Sequence, residues 1–186
     1  MKKLLDPVIF CFGRMNPPTL GHSVVWDKME DLAEENDCLA YICLSHTEDK
    51  KNVIPYEDKV KIVKDYVESM SYALTSVEDL GSNAYQIIGN LKDQGIKKAI
   101  FVVGSDRVDD FKDLEDASGI NVEVVCAGQR KENGTSKEAA SSTKMKEYAK
   151  NGQFNFFRQM CPDGGKDLQM AKKLYDLTRS SSQTEA

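Results

Sequence analysis

Short runs of consecutive apolar residues alternate along this chain with stretches in which apolar positions return every three or four residues. Val8-Ile9-Phe10-Cys11-Phe12 is an unbroken apolar run closed by Gly13, which predicts a strand buried on both faces. Val25, Met29, Leu32 and Ala33 then follow helical spacing. Leu39 to Leu44 is a second apolar run, followed by a polar loop from Ser45 to Asn52. Pro55 opens a helix with Val60, Val63, Val67 and Met70 on one face. A weak strand is expected around 72–77, then a helix marked by Ala84, Ile87, Ile88 and Leu91 and ended by Gly95. Ala99 to Val103 is the clearest strand, stopped by Gly104. A short helix is expected over 108–114 and a strand over 122–126. A loop over 129–138, a helix over 141–150 opening with hydroxyl residues, and a last helix over 166–178 complete the pattern. The tail 180–186 is expected to be disordered.

Strands that alternate with helices predict parallel pairing through right-handed crossovers. The expected fold class is therefore α/β, a Rossmann-like doubly wound parallel sheet in a single domain with a C-terminal helix. Residues 1–160 would form that domain and 161–186 the helix and tail. In such sheets ligands bind beyond the carboxyl ends of the strands. The loops to inspect are then 13–22, 45–52, 104–107 and 127–143.

The chain has 186 residues, 40% apolar and 30% charged, as expected of a soluble domain with a sizeable core. No apolar run approaches the ~20 residues that a bilayer requires, and Lys2 and Lys3 precede no long apolar stretch. No membrane association or signal peptide is expected. Five cysteines, an odd number without a Cys-x-x-Cys pair, read as buried free thiols in a reducing cytosol. The expected location is cytoplasmic, without a zinc site or disulfide frame. A net charge of −5 argues against nucleic acid as partner but leaves room for a local cationic pocket.

The first loop, Gly13-Arg14-Met15-Asn16-Pro17-Pro18-Thr19-Leu20-Gly21-His22, contains one of only two histidines. Gly13 permits a sharp turn or a close ligand approach. Pro17 and Pro18 delay the helix until the loop has been crossed. Thr19 is then placed as a helix N-cap, with Gly21 and His22 in the first turn. Helix N-termini attract anions, and a histidine there can donate to a phosphate oxygen.

This decapeptide resembles the G-x-F-x-P-x-[HT]-x-G-H signature of the nucleotidylyltransferase superfamily. Met15 stands at the aromatic position, Thr19 at the His/Thr position and His22 at the last His. Ala140-Ser141-Ser142-Thr143-Lys144-Met145-Lys146 is similar to the superfamily's I-S-S-T-x-x-R motif, with Lys146 in place of Arg. A guanidinium grips phosphate through a fixed fork and an ammonium only as a point charge, so Lys146 is expected to share its task with Arg14, Lys144 or Arg130. Gly104-Ser105-Asp106 is a weaker match to the Gly-x-Asp of NMN adenylyltransferases, and Asp106 could equally cap a helix. His46, Lys50 and Lys51 follow the second strand, where family members bind the acceptor, and read singly as solvated loop residues. The combination looks most like the small nucleotidylyltransferases of tailed bacteriophages and the archaeal-type NMN adenylyltransferases.

The resemblance implies transfer of AMP from ATP to a phosphorylated small molecule, with nicotinamide mononucleotide and hence NAD synthesis as first choice. The acceptor phosphate would attack the α-phosphorus in line, and catalysis would be positioning and charge stabilisation. His22, most effectively as imidazolium, Thr19 and Lys146 are the implied catalytic residues. Gly13, Arg14, Met15, Asn16, Gly21, Gly104, Asp106, Arg130, Ser141, Ser142 and Thr143 are implied to bind the nucleotide. Mg²⁺ would bridge phosphate oxygens with few protein ligands, and no carboxylate cluster offers itself as a metal site. Cytidylyl transfer from CTP, another acceptor, and a nucleotide-binding protein without catalysis stay open. A class I aminoacyl-tRNA synthetase core is set aside, because the chain is short and acidic and lacks a Lys-Met-Ser-Lys-Ser loop. The helix over 166–178 can pack on the core or on a second subunit of a homo-oligomer.

Overall fold

The computed structural model describes residues 4–114, 119–128 and 141–183. Five strands are present: β1 (Val8–Gly13), β2 (Ala40–Leu44), β3 (Thr75–Val77), β4 (Lys98–Val103) and β5 (Asn121–Cys126). They form one all-parallel sheet in the order β3-β2-β1-β4-β5. The helices are α1 (Leu20–Glu35), α2 (Tyr56–Ser69), α3 (Ala84–Asp93), α4 (Ser142–Lys150), α5 (Phe154–Gln159) and α6 (Leu168–Gln183). The expected Rossmann-like α/β fold with its C-terminal helix is what forms. The strand order reverses at β1, between β2 and β4, which makes the carboxyl end of β1 the switch point. None of the described helices is long and apolar enough to cross a membrane.

Contacts divide the chain into two units. The first holds residues 1–13, 24–45 and 72–130, and contains the sheet. Alternation along its strands serves two faces. Val8, Phe10, Tyr41, Cys43, Phe101 and Val103 join Ile87, Ile88 and Leu91 of α3 in one apolar cluster. Phe10 and Phe101 stack there with ring centroids 4.6 Å apart. Ile9, Cys11, Ile42 and Ile100 point the other way and are equally buried, which is why these strands read as unbroken apolar runs. The Glu30 carboxylate closes this unit locally, accepting from the Ala73 and Leu74 amides and the Thr75 hydroxyl.

The second unit holds residues 14–23, 46–71 and the described part of 131–186. Within it α4, α5 and α6 pack together and α2 touches α6. Phe154 and Phe157 both meet Tyr175 edge-on at 5.2 Å, and Lys173 of α6 pairs with Asp65 of α2.

Several details depart from the sequence expectations. Helix α5 carries three phenylalanines in six residues, a pattern too short to show a period. The turn after it is fixed by Gly165, where a Cβ would lie 2.5 Å from the Arg158 carbonyl oxygen, so only glycine fits. Helix α6 runs on to Gln183, so residues 180–183 of the tail expected to be disordered are helical. The Ser180 and Ser182 hydroxyls bond back to the Leu177 and Thr178 carbonyls. Cys126 is exposed at the end of edge strand β5, whereas Cys11, Cys38, Cys43 and Cys161 are buried free thiols. The short helix expected over 108–114 opens as a 3₁₀ turn, Asp109–Phe111.

Candidate active site

The loop after β1 turns at Met15, not at Gly13. Gly13 ends the strand, and its carbonyl accepts from the Ser45 amide. Met15 takes φ +45, a conformation costly for a non-glycine residue, and its side chain is buried. The Asn16–Pro17 peptide is cis. Asn16 is 2% exposed, and both ends of its side-chain amide are committed to one residue. Its Nδ2 donates to the Ile54 carbonyl at 2.9 Å, and its Oδ1 accepts from the Ile54 amide at 3.0 Å. Asn16 therefore pins the loop to the segment before α2, and its side-chain amide is already taken. The side chains of Met15 and Asn16, implied nucleotide contacts, are buried and hold the loop.

Thr19 and His22 form the start of α1 as a pair. The Thr19 carbonyl accepts from the His22 and Ser23 amides. In return His22 Nδ1 accepts from the Thr19 amide at 2.9 Å, with Thr19 Oγ1 at 3.0 Å. A side chain in the first turn reaching back to the N-cap amide is the logic of a capping box, with imidazole in the acidic residue's place. Thr19 is buried, and its amide and hydroxyl lie against His22 Nδ1. Because Nδ1 accepts a hydrogen bond from a backbone amide, the ring is neutral with its hydrogen on Nε2. Loss of hydration pushes the His22 pKa down to about 4, although part of the residue stays accessible. The imidazolium expected from the sequence is thus replaced by a neutral donor.

Two amides at this helix start have different fates. The Leu20 N–H donates to the Met160 carbonyl at 2.9 Å, while the exposed Gly21 N–H has no acceptor among the described residues. A Cβ on Gly21 would meet Thr19 Oγ1 at 3.5 Å, an ordinary contact, so folding does not require glycine there.

The second motif meets the first. Ser141 caps α4, its hydroxyl accepting from the Lys144 amide at 3.2 Å. The Ser142 hydroxyl donates to the Pro17 carbonyl at 2.8 Å across 125 residues of sequence. The resemblance implies that Ser141 and Ser142 grip phosphates; in this structure their hydroxyls cap a helix and join the two motifs. Thr143 is exposed at the same helix start.

Lys146, one turn further along α4, donates its ammonium to the Lys51 carbonyl. Its pKa is lowered by burial first, and further by Arg14 and Lys51, against the opposing pull of Asp49. Arg14 and Lys51 thus each lie within Coulombic reach of Lys146, as does the Asp49 carboxylate. Lys51, expected to be a solvated loop residue, has an exposed side chain, but its carbonyl belongs to the site. His46 is exposed too, with its ring on Tyr56 at 4.3 Å.

Gly104 and Asp106 belong to the first unit, in the turn after β4. A Cβ on Gly104 would approach Asp106 Oδ1 to 3.0 Å. The Asp106 carboxylate is exposed and caps no helix among the described residues. Arg130 and Ala140 lie outside the described residues.

The sequence model of the cytidylyltransferase-like family matches residues 10–148, three quarters of the chain. The chain belongs to the cytidylyltransferase-like family. This is a nucleotidyltransferase family, and the matched span runs from β1 through both motifs. None of the curated proteins matches. Among solved structures 66 chains match. One is Thermotoga maritima TmcAL bound with alpha-thio ATP, at 10% identity and a TM-score of 0.51, over 97% of this chain and 56% of that one. At that identity the likeness is one of fold, and this chain spans little more than half the length of the other.

Proposed function

We propose that this nucleotidyltransferase moves AMP from ATP to a phosphorylated small molecule and releases pyrophosphate, with nicotinamide mononucleotide the first acceptor to try. The observation that carries the reading is the Ser142–Pro17 hydrogen bond, which joins the start of α4 to the loop bearing His22. Two segments that resemble phosphate-binding motifs thereby meet beside Arg14, Lys51 and Lys146.

In the proposed step an acceptor phosphate oxygen attacks the α-phosphorus in line. The bond from that phosphorus to the bridging oxygen of the β-phosphate breaks, and pyrophosphate leaves with the electron pair. His22 Nε2–H donates to a non-bridging α-oxygen, with the ring held by Thr19. The Gly21 amide, at the positive end of α1, faces the same charge. Lys146 and Arg14 offset the negative charge that grows on the leaving group. Among the described residues no three His, Cys, Asp or Glu side chains are grouped to hold a metal. Mg²⁺, if bound with the triphosphate, would supply neutralisation of its charge.

Two observations divide the choice of nucleotide. The family description favours CTP, and the solved neighbour holding an ATP analogue favours ATP. The resemblance to phage-type nucleotidylyltransferases and archaeal-type NMN adenylyltransferases adds to the second. Pyrophosphate release measured with ATP or CTP against a panel of phosphorylated acceptors tests the reading. Release with ATP and nicotinamide mononucleotide is expected. Binding of a nucleotide without release from any acceptor would leave a binding protein in place of the enzyme.

A further inference from the structure

The turn at residues 49–52 is absent from both motifs, yet it touches one of them. Asp49 Oδ1 accepts three hydrogen bonds: from the Lys51 amide at 2.8 Å, the Asn52 amide at 2.9 Å and Asn52 Nδ2 at 2.9 Å. The Asp49 carbonyl accepts from the Asn52 amide as well, closing the turn through its main chain. This arrangement turns the Lys51 carbonyl toward Lys146, whose ammonium donates to it. Two residues on, Ile54 is clamped by Asn16 of the first motif. The turn is thus stapled at one end to the His22 loop and supplies at its middle the acceptor for the α4 lysine.

An ammonium carries no fixed geometry of its own and must be aimed by its surroundings. The carbonyl of Lys51 does this for Lys146. We infer that Asp49 is a positioning residue for nucleotide binding: it folds the 49–52 turn so that the Lys51 carbonyl holds the Lys146 ammonium beside Arg14. Asp49 itself is exposed and its Oδ1 is occupied by the turn, so it acts through Lys146 and does not touch the nucleotide. This role rests on the triphosphate reading of the site given above.

The test compares Asp49→Ala with Asp49→Asn, which keeps the Oδ1 acceptor and removes only the charge. ATP affinity is measured by calorimetry on the full chain, with and without Lys146→Ala. Asp49→Ala is expected to weaken ATP binding about tenfold, the scale of one charge-assisted hydrogen bond. Asp49→Asn is expected to restore most of it. In the Lys146→Ala background the effect of Asp49→Ala is expected to fall below about twofold, because coupled residues are not additive. Equal weakening in both backgrounds, or unchanged affinity in Asp49→Ala, would overturn the inference. So would an Asn variant as weak as the Ala variant. If the wild-type chain binds neither ATP nor CTP, the site reading fails instead, and that result is separate from these.

Discussion

The loop at 13–22 and the helix start at 141–146 both place hydroxyl and basic side chains beside a helix N-terminus. In the fold they divide the work. The first loop turns polar side-chain atoms inward: Asn16 to Ile54, and Thr19 to His22. It leaves outward the exposed Arg14, one ring edge of His22 and the Gly21 amide. The second segment uses Ser141 for its own cap and Ser142 to hold the first loop, and leaves outward Thr143 and a cation. Most polar side chains of the two segments thus hold the loop and the helix start in place, and few are left free. Stiffness matters because charge stabilisation depends on donors already in place.

If that division holds, Asn16→Ala should show the largest effect, and on stability. It strips two hydrogen bonds and leaves the buried Ile54 amide and carbonyl unpaired, which should cost about 3 kcal/mol. Urea unfolding reads it, and a change under about 0.5 kcal/mol, the scale of an ordinary surface substitution, would return Asn16 to the ligand-facing set.

Next is His22→Ala, expected to lower kcat by ~10² or more through loss of the donor to the α-phosphate. Melting temperature should drop only modestly, by the ~1 kcal/mol scale of one missing cap. Wild-type turnover in the purified variant would remove His22 from the chemistry.

Lys146→Ala should raise KM for the triphosphate or depress turnover by about tenfold, while Lys146→Arg is tolerated. Unchanged steady-state kinetics in the alanine variant would take Lys146 out of the site.

The tautomer of His22 sets a pH dependence of stability. The folded His22 pKa, about 4, lies below the usual 6.5 of the unfolded chain, so the unfolded state binds the extra proton first as pH falls. The stability contributed by the neutral ring is then complete above about pH 6.5 and declines progressively toward about pH 4. Thermal melts across that window should fall more steeply for the wild type than for His22→Gln, and parallel curves would mean that the ring titrates alike in the folded and unfolded chains.

The strands are plain in the sequence because burial on both faces leaves unbroken apolar runs, and that pattern needs no knowledge of partners. Val8 to Phe12 and Ala99 to Val103 are readable for this reason. The edge strand β5, exposed at several positions, is still legible from its valines, but the exposure of Cys126 is not. Helix α5 and the extension of α6 escape because short aromatic clusters and serines carry no period of their own. In the site, the motifs point to His22 and Lys146. The parts played by Lys51 and Ile54 have no local signal, since each depends on a backbone contact with a distant segment, and the local Asp49 turn bears on the site only through the Lys51 carbonyl.

The alternation of strands and helices, hence a parallel sheet, and the placing of two motifs at helix starts are written in the sequence alone. They are local properties: side-chain period, glycine and proline positions, and hydroxyls before a helix. Which polar atoms remain free to meet a ligand is decided one level higher, in the folded chain. A hydroxyl, an amide or an imidazole has few hydrogen-bonding positions, and whether a neighbour far along the chain already occupies them is settled only when the two segments come together.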